Sequence, residues 1–269
     1  MPTMPTQPTL PIQPIAPMTR RQRVLAAIDH RPTDRMPIDL GVHFSSGISV
    51  FAYRRLREHL GLSVDRIEIV DTVQMLARVD EDILERFHCD AILLNPVPRR
   101  LRPWTIRDGE TFLVSQRFRP ERNARGEWVV TDGARRMRMP EGGYFFDGDW
   151  LACSEYDTEE EELSAYAARA ESLYKETDYA TFQLGFPAFF GDVEFACDIL
   201  TDPDRVLEQQ EAGLAYWLAR TGRVIDRYGP YIQGIVIAGD MGTQSGPYVS
   251  REHFDTFTLP YLQKYCRFV

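Results

Sequence analysis

The residues with the clearest capacity for chemistry lie in a short polar segment that directly follows an apolar run, 235–237. Isoleucine and valine fill that run, and β-branched residues of this kind are typical of a strand. The segment combines a carboxylate, a hydroxyl and an amide with glycine, in Asp240, Gly242, Thr243 and Gln244. Glycine at a strand end lets the backbone approach a ligand closely. This pattern predicts the ligand-binding end of a strand in an α/β barrel.

Each of these residues also has an ordinary structural interpretation. Asp240 could cap a helix or a loop, and Thr243 and Gln244 could stabilise the turn itself. We favour a catalytic role for Asp240 because of its position at a strand tip. Substrate-binding roles are predicted for Gly242, Thr243 and Gln244.

Four polar residues in the first part of the chain complete the predicted site. Asp39 lies within a predicted strand, where a charge should be paired or should face a pocket. His43 and Ser46 lie in the loop that follows, and Asn95 ends the next apolar run. His43 could be polar surface, or a catalyst because imidazole titrates near neutral pH. We predict a catalytic role for His43, substrate-binding roles for Asp39, Ser46 and Asn95, and no metal ligand.

Composition limits the classes of function. The 269 residues carry a net charge of -9, which argues against nucleic acid as the main partner. No apolar run is long enough to span a membrane. The four cysteines are scattered and form no CxxC pair, which argues against structural zinc and indicates free thiols in a reducing cytoplasm. We therefore predict a cytoplasmic protein.

Strands alternate with helices along most of the chain, which predicts βα units and a mainly parallel sheet. Residues 1–17 are rich in proline, threonine and glutamine and are predicted to form a disordered leader rather than a secretory signal. Strands are predicted at 36–41, 89–96, 179–185 and 235–237. Helices are predicted at 19–29, 52–60, 67–77, 80–87, 163–176, 192–200, 203–228 and from 250 onward, with 156–162 as an acidic surface linker.

Residues 98–150 differ from this pattern and are predicted to form a β insertion. Turn residues at 107–110 and 131–133 separate apolar segments, as expected for two hairpins. The insertion is rich in arginine, which could line the entrance for an anionic ligand or form a solvated face. The solvated face is favoured.

Several segments together resemble the uroporphyrinogen decarboxylase-like superfamily, and more closely the branch that it shares with cobamide-dependent methyltransferases. The opening stretch 23–41 is the most specific of them, together with the Gly-Thr-Gln tip. The matching segments, in the family's order and spacing, are 23–41, 46–48, 141–144, 202–203 and 239–247. The resemblance spans about residues 18–269.

The resemblance implies a TIM-type (β/α)8 barrel with its ligand pocket at the carboxyl ends of the strands. In this family the pocket takes a tetrapyrrole, either uroporphyrinogen or the face of a corrinoid, or a methyl acceptor activated by zinc. The resemblance implies corrinoid-dependent methyl transfer for the complete enzyme, with a small molecule or a corrinoid protein as partner. Zinc and a corrinoid are expected cofactors of that complete form, and none is expected to be bound within this chain alone.

Two departures weaken the alternative of uroporphyrinogen decarboxylation in porphyrin biosynthesis. The decarboxylases carry an Arg-Gln-Ala-Gly-Arg signature after the first strand, where this chain has His-Phe-Ser-Ser-Gly at 43–47. Without those arginines, the acidic side chains of a porphyrinogen lose bidentate partners. The essential aspartate of the decarboxylases aligns with Pro96, which cannot polarise pyrrole nitrogens.

The methyltransferases continue past the Gly-Thr-Gln strand to a His-x-Cys segment and a later cysteine, which bind zinc. This sequence ends before such a segment, so the resemblance implies a barrel that is incomplete at its C-terminus. A third alternative is therefore a non-catalytic fragment or binding module. An open barrel exposes strand edges and is expected to need a partner chain or to form homo-oligomers.

Overall fold

The computed structural model describes residues 15–95, 100–107, 109–149, 151, 156–185, 193–237 and 239–269. These residues form a mixed α/β fold with eight α-helices and five small sheets. The helices are α1 (Arg20–Ile28), α2 (Val50–His59), α3 (Glu81–Arg86), α4 (Glu159–Glu176), α5 (Val193–Thr201), α6 (Pro203–Tyr228), α7 (Arg251–Phe257) and α8 (Leu259–Phe268). The strands are β1 (Ile69–Asp71), β2 (Leu76–Ala77), β3 (Ala91–Leu93), β4 (Leu101–Arg107), β5 (Glu110–Ser115), β6 (Glu121–Arg122), β7 (Trp128–Asp132), β8 (Arg135–Met139), β9 (Asp147–Gly148), β10 (Ala180–Gly185), β11 (Gly234–Ile237), β12 (Gly242–Thr243) and β13 (Gly246–Pro247).

Strands β3, β10 and β11 form a parallel sheet, with β10 in the centre. Phe182 of β10 pairs with Leu93 on one side and with Gly234 on the other, which fixes the register. Asp39 adds a parallel bridge to Ala91 on the other side of β3. Four chain segments therefore lie side by side in sequence order, without the reversal of order that defines a doubly wound sheet.

Helices α4 and α6 cover one face of this sheet. Leu173 of α4 and Val224 of α6 are buried together with Leu94, which follows β3. The N-cap Asp202 accepts from the backbone N–H of Arg205, as expected for a helix that begins with Pro203. The prediction of a long helix in this position is confirmed. Helix α8 packs in turn against α6, where the hydroxyls of Thr221 and Tyr265 lie 2.9 Å apart.

The β insertion packs against α2, β1 and β2 in the other large core. Strands β4 and β5 form one antiparallel hairpin, and β7 and β8 form the second, so both predicted hairpins are confirmed. Trp104 lies at their centre and meets Phe118 and Trp128 edge-to-face at 5.3 Å in each case. Aromatic rings in this geometry add attraction beyond the area that they bury.

The helix predicted at 67–77 is wrong. The structure has the antiparallel strands β1 and β2 there, joined by a turn. The Asp71 carboxylate holds the turn, because it accepts from the N–H of Val73 at 2.8 Å and from the side chain of Gln74 at 2.9 Å. Burial alternates from Ile67 to Ile69 to Asp71, which is the period of a strand.

Three further boundaries differ from prediction. Only Asp39 of the predicted strand 36–41 pairs with β3. Glutamates 159–162, assigned to a linker, form the first turn of α4, where acidic side chains favour the positive end of the helix dipole. The terminal helix divides at Thr258, with Pro260 in the first turn of α8. The predicted leader falls mostly outside the described residues, as does Pro96.

A buried carboxylate, Asp90, fixes the sheet to the first part of the chain. Its side chain is fully buried and accepts from Arg23 at 2.5 Å and from Arg35 at 2.6 Å and 2.8 Å. It also accepts from the N–H of Ile38 at 2.8 Å, and the Asp90 N–H donates back to the Ile38 carbonyl. Arg23 makes a further bidentate pair with Asp34, at 2.6 Å and 2.7 Å.

Replacing Asp90 should destabilise the fold strongly. Asp90→Asn leaves the buried guanidinium of Arg23 without half of its compensating charge. Breaking a buried ion pair on one side costs about 3 kcal/mol or more. The free energy of unfolding from urea titration measures this loss. Asp29→Asn, which removes an exposed pair with Arg31, is the control and should change stability by less than about 0.5 kcal/mol. Equal losses in both variants would contradict the assignment.

Acid should weaken the fold through Asp34. The hydrogen bond from Arg23, and then that from the Met18 N–H, hold the Asp34 pKa well below its usual 3.8. Because the folded state lowers this pKa, its contribution is present above about pH 4 and is lost as the pH falls further. Asp34→Asn should therefore show a flatter decline in urea midpoint between pH 5 and about pH 2. Parallel declines in variant and wild type would exclude this role for Asp34.

Candidate functional site

The parallel sheet brings the predicted residues to one edge. Strands that run in the same direction end at the same side of a sheet, and polar side chains there form the ligand sites of α/β folds. His43 follows the bridged segment at Asp39, Asn95 follows β3, and Asp240 follows β11. The strand order therefore places these three residues after the carboxyl ends of parallel segments of one sheet.

The segment after β11 is an exposed hairpin. Strand β12 pairs antiparallel with β13, and Asp240, Thr243 and Gln244 are exposed to solvent. The hydroxyl of Thr243 accepts from the N–H of Ser245 at 3.2 Å, which is the turn-stabilising role that the sequence left open. Position 242 has no room for a side chain, because a Cβ there would lie 2.7 Å from the carbonyl oxygen of Gly246.

The loop after Asp39 is held by its own side chains. The Asp39 carboxylate accepts from the N–H of Val42 at 2.8 Å and is exposed. Among the described residues it makes no ion pair, and it does not line the cavity described below. The hydroxyl of Ser46 donates to the His43 carbonyl at 3.0 Å, which leaves it a structural role within the loop.

His43 presents a buried donor. Its Nδ1 accepts from the backbone N–H of Ser45 at 3.0 Å, so the neutral imidazole carries its proton on Nε2. Nε2 is buried and has no hydrogen-bond partner in the part of the chain that the structure describes. An unpaired buried N–H costs free energy, so this atom is the natural contact for an acceptor on a ligand.

A cavity of about 430 Å³ lies next to His43, between β3 and the helices α3 and α4. Its volume falls within the range of small-molecule sites. Of the predicted residues, His43 and Asn95 line it. Asp39, Ser46 and the four residues of the exposed hairpin do not. Its polar lining also includes residues that the sequence analysis did not single out: Arg78, Asp80, Glu81, Arg169, Glu176 and Thr177.

Two arginines set the electrostatics of this cavity. Arg78 is held by Glu68 in a bidentate pair, with both distances at 2.8 Å. Arg169 of α4 is half-buried and makes no hydrogen bond or ion pair with any residue that the structure describes. Burial lowers the pKa of Arg169, and the nearby charge of Arg78 lowers it further. Among the described residues, the cavity therefore contains a half-buried cation that makes no hydrogen bond or ion pair, with the carboxylates of Glu176 and Glu81 acting on it only through space.

A sequence signal for Arg169 existed. Tyr166, Ala170 and Leu173 form the inward face of α4, and Arg169 lies at the matching helical spacing among them. An arginine in a position that the period assigns to the core requires a partner or a cavity.

Comparison with protein-family models, with curated proteins and with solved structures finds no match to this chain. Within the described residues, no group of three or more His, Cys, Asp or Glu side chains is placed to hold a metal ion. None of the helices in those residues combines the length and apolarity that a bilayer crossing requires. The functional assignment therefore depends on the strand order and on the side chains described above.

The hairpin after β11 should be sensitive to added volume. Gly242→Ala places a methyl group against Gly246 and should open the hairpin. The Tyr248 N–H, which donates to the Met241 carbonyl at 3.1 Å, should then exchange faster with deuterium. Gly213→Ala is the control, because open space surrounds that position in α6 and the change should stabilise by about 0.5–1 kcal/mol. Unchanged exchange of Tyr248 in Gly242→Ala would contradict the close packing.

Proposed function

We propose that this chain supplies four consecutive strands of a TIM-type (β/α)8 barrel of the uroporphyrinogen decarboxylase-like kind, and that its carboxyl edge serves corrinoid-dependent methyl transfer. The observation that carries this proposal is the strand order. Asp39, β3, β10 and β11 are parallel neighbours in sequence order. A (β/α)8 barrel is built in that order, whereas a doubly wound sheet reverses it.

The polar hairpin after β11 is consistent with binding of a large, extended ligand. Asp240, Thr243 and Gln244 are exposed rather than enclosed, so they suit the rim of a large planar molecule. A corrinoid presents amide groups around its ring, which can donate to the Asp240 carboxylate and bond with the Gln244 amide. When bound, a corrinoid would supply the cobalt-linked methyl group. The role assigned to these side chains is to hold and orient its edge.

Zinc has no assigned ligands among the described side chains. The donor sets of zinc sites combine cysteine, histidine and carboxylate ligands. No such cluster occurs in the part of the chain that the structure describes. We therefore assign no step to zinc here.

Binding of methylcobalamin to the full chain tests the proposal. Quenching of tryptophan fluorescence measures the dissociation constant. Asp240→Asn should weaken binding about tenfold or more, because hydrogen bonds to a charged group contribute about 1.5–3 kcal/mol. Asp226→Asn is the matched control, since Asp226 is an exposed aspartate near the end of α6, at the opposite edge of the sheet. It should bind as the wild type does.

The other outcomes identify the alternatives. Turnover of uroporphyrinogen without methylcobalamin binding would favour decarboxylation instead. The absence of both activities, together with self-association seen by light scattering, would favour a binding module. Equal weakening in Asp240→Asn and Asp226→Asn would show that the carboxyl edge is not the site.

A further inference from the structure

We infer that the cavity between β3, α3 and α4 binds a small amphiphilic carboxylate, whose charged head lies on Arg169 and whose apolar part fills the cavity. This site lies between β3, α3 and α4, and its lining includes His43 and Asn95 but none of the residues of the hairpin after β11. It is separate from the exposed hairpin after β11 and does not depend on the proposed methyl transfer.

The first argument is the state of Arg169. Its guanidinium is half-buried in the middle of α4, and no carboxylate of the described residues lies within ion-pair distance. Most buried charges in proteins are paired, because an unpaired charge loses its hydration without compensation. An incoming carboxylate would supply the missing partner, with the planar bidentate geometry that a guanidinium favours.

The neighbouring charges show why the protein itself does not supply that partner. Arg78 lies close enough to lower the pKa of Arg169. The Glu68 carboxylate is already engaged in its ion pair with Arg78. Glu176 and Glu81 raise the same pKa, yet both are exposed and form no ion pair with Arg169. Asp80, the third carboxylate of the lining, is paired with Arg57. Among the described residues, Arg169 is thus the lining cation that lacks an ion pair, beside two carboxylates that are exposed to water.

The second argument is the unpaired donor on His43. Its Nε2–H is buried, and His43 lines the same cavity as Arg169. A carboxylate offers two oxygens, which is enough to accept from both groups. Two unsatisfied donors in one cavity are more specific than either alone, since each carries a desolvation cost that one ligand group can relieve.

The walls of the cavity decide which carboxylate fits. Leu84 of α3, Ile92 of β3 and Leu173 of α4 contribute apolar surface, and Leu40, Phe44 and Val79 extend it. Apolar walls with a few convergent polar groups are typical of small-molecule sites. A bare inorganic anion would leave this apolar surface unfilled, so the structure favours a ligand with a hydrocarbon or aromatic body.

Thermal unfolding of the full chain with octanoate tests this inference. Octanoate should raise the melting temperature of the wild type, and octanamide, which has the same body without the charge, should not. Arg169→Met keeps the side-chain length but removes the charge. It should abolish the response to octanoate while leaving the melting temperature without ligand equal or higher, because it removes a half-buried cation that has no ion pair among the described residues.

Arg55→Met is the matched control. Arg55 is an exposed arginine on α2 without an ion pair among the described residues, so this variant should keep the full response to octanoate. His43→Phe should reduce the response without abolishing it. The inference is overturned if octanoate does not stabilise the wild type, if octanamide or inorganic phosphate stabilises it equally, or if Arg169→Met responds as the wild type does. None of these outcomes bears on methylcobalamin binding, so the two proposals fail separately.

Discussion

The sheet depends on one buried carboxylate. Asp90 precedes β3 and binds two guanidiniums, those of Arg23 in α1 and of Arg35 in the segment before Asp39. Since its carboxylate also accepts from the Ile38 N–H, this side chain fixes the first segment in register beside β3. Water cannot solvate the Asp90 carboxylate at a fully buried position, so its arginine partners must stay in place. The ion pairs therefore restrict the chain conformation more than their net contribution to stability suggests.

The same ion pairs explain why charged residues occur in the opening segment 23–41, which is the most specific part of the proposed family resemblance. Arg23, Asp34 and Arg35 belong to the opening segment 23–41, and all three are engaged in ion pairs. Their residue types are therefore explained by the folding of a parallel sheet. A resemblance in this stretch indicates how the strands begin, whereas the chemistry depends on side chains farther along the chain.

Local signals predicted much of the fold. Asp202 with Pro203 marked the start of α6, and the apolar runs before Asn95 and Asp240 marked β3 and β11. The prediction failed at 67–77 because its apolar spacing suits a helix as well as a strand. One deciding contact is tertiary, the bridge from Glu68 to Leu113 of β5, and local spacing does not show it. The turn closed by the Asp71 carboxylate is a local contact, which the prediction missed.

The site divides in the same way. Polar residues at strand ends can be found from sequence, because the rule that places them at one edge needs only strand direction. Helical spacing places Arg169 on the inward face of α4, but it does not reveal the cavity, whose lining combines residues of α3, β3 and α4. His43 belongs to both regions, because it follows the first strand segment and also lines the cavity. Its Nε2 is buried, so we propose that it acts as an enclosed donor, whereas the exposed Asp240 is proposed to contact a ligand that remains partly in water.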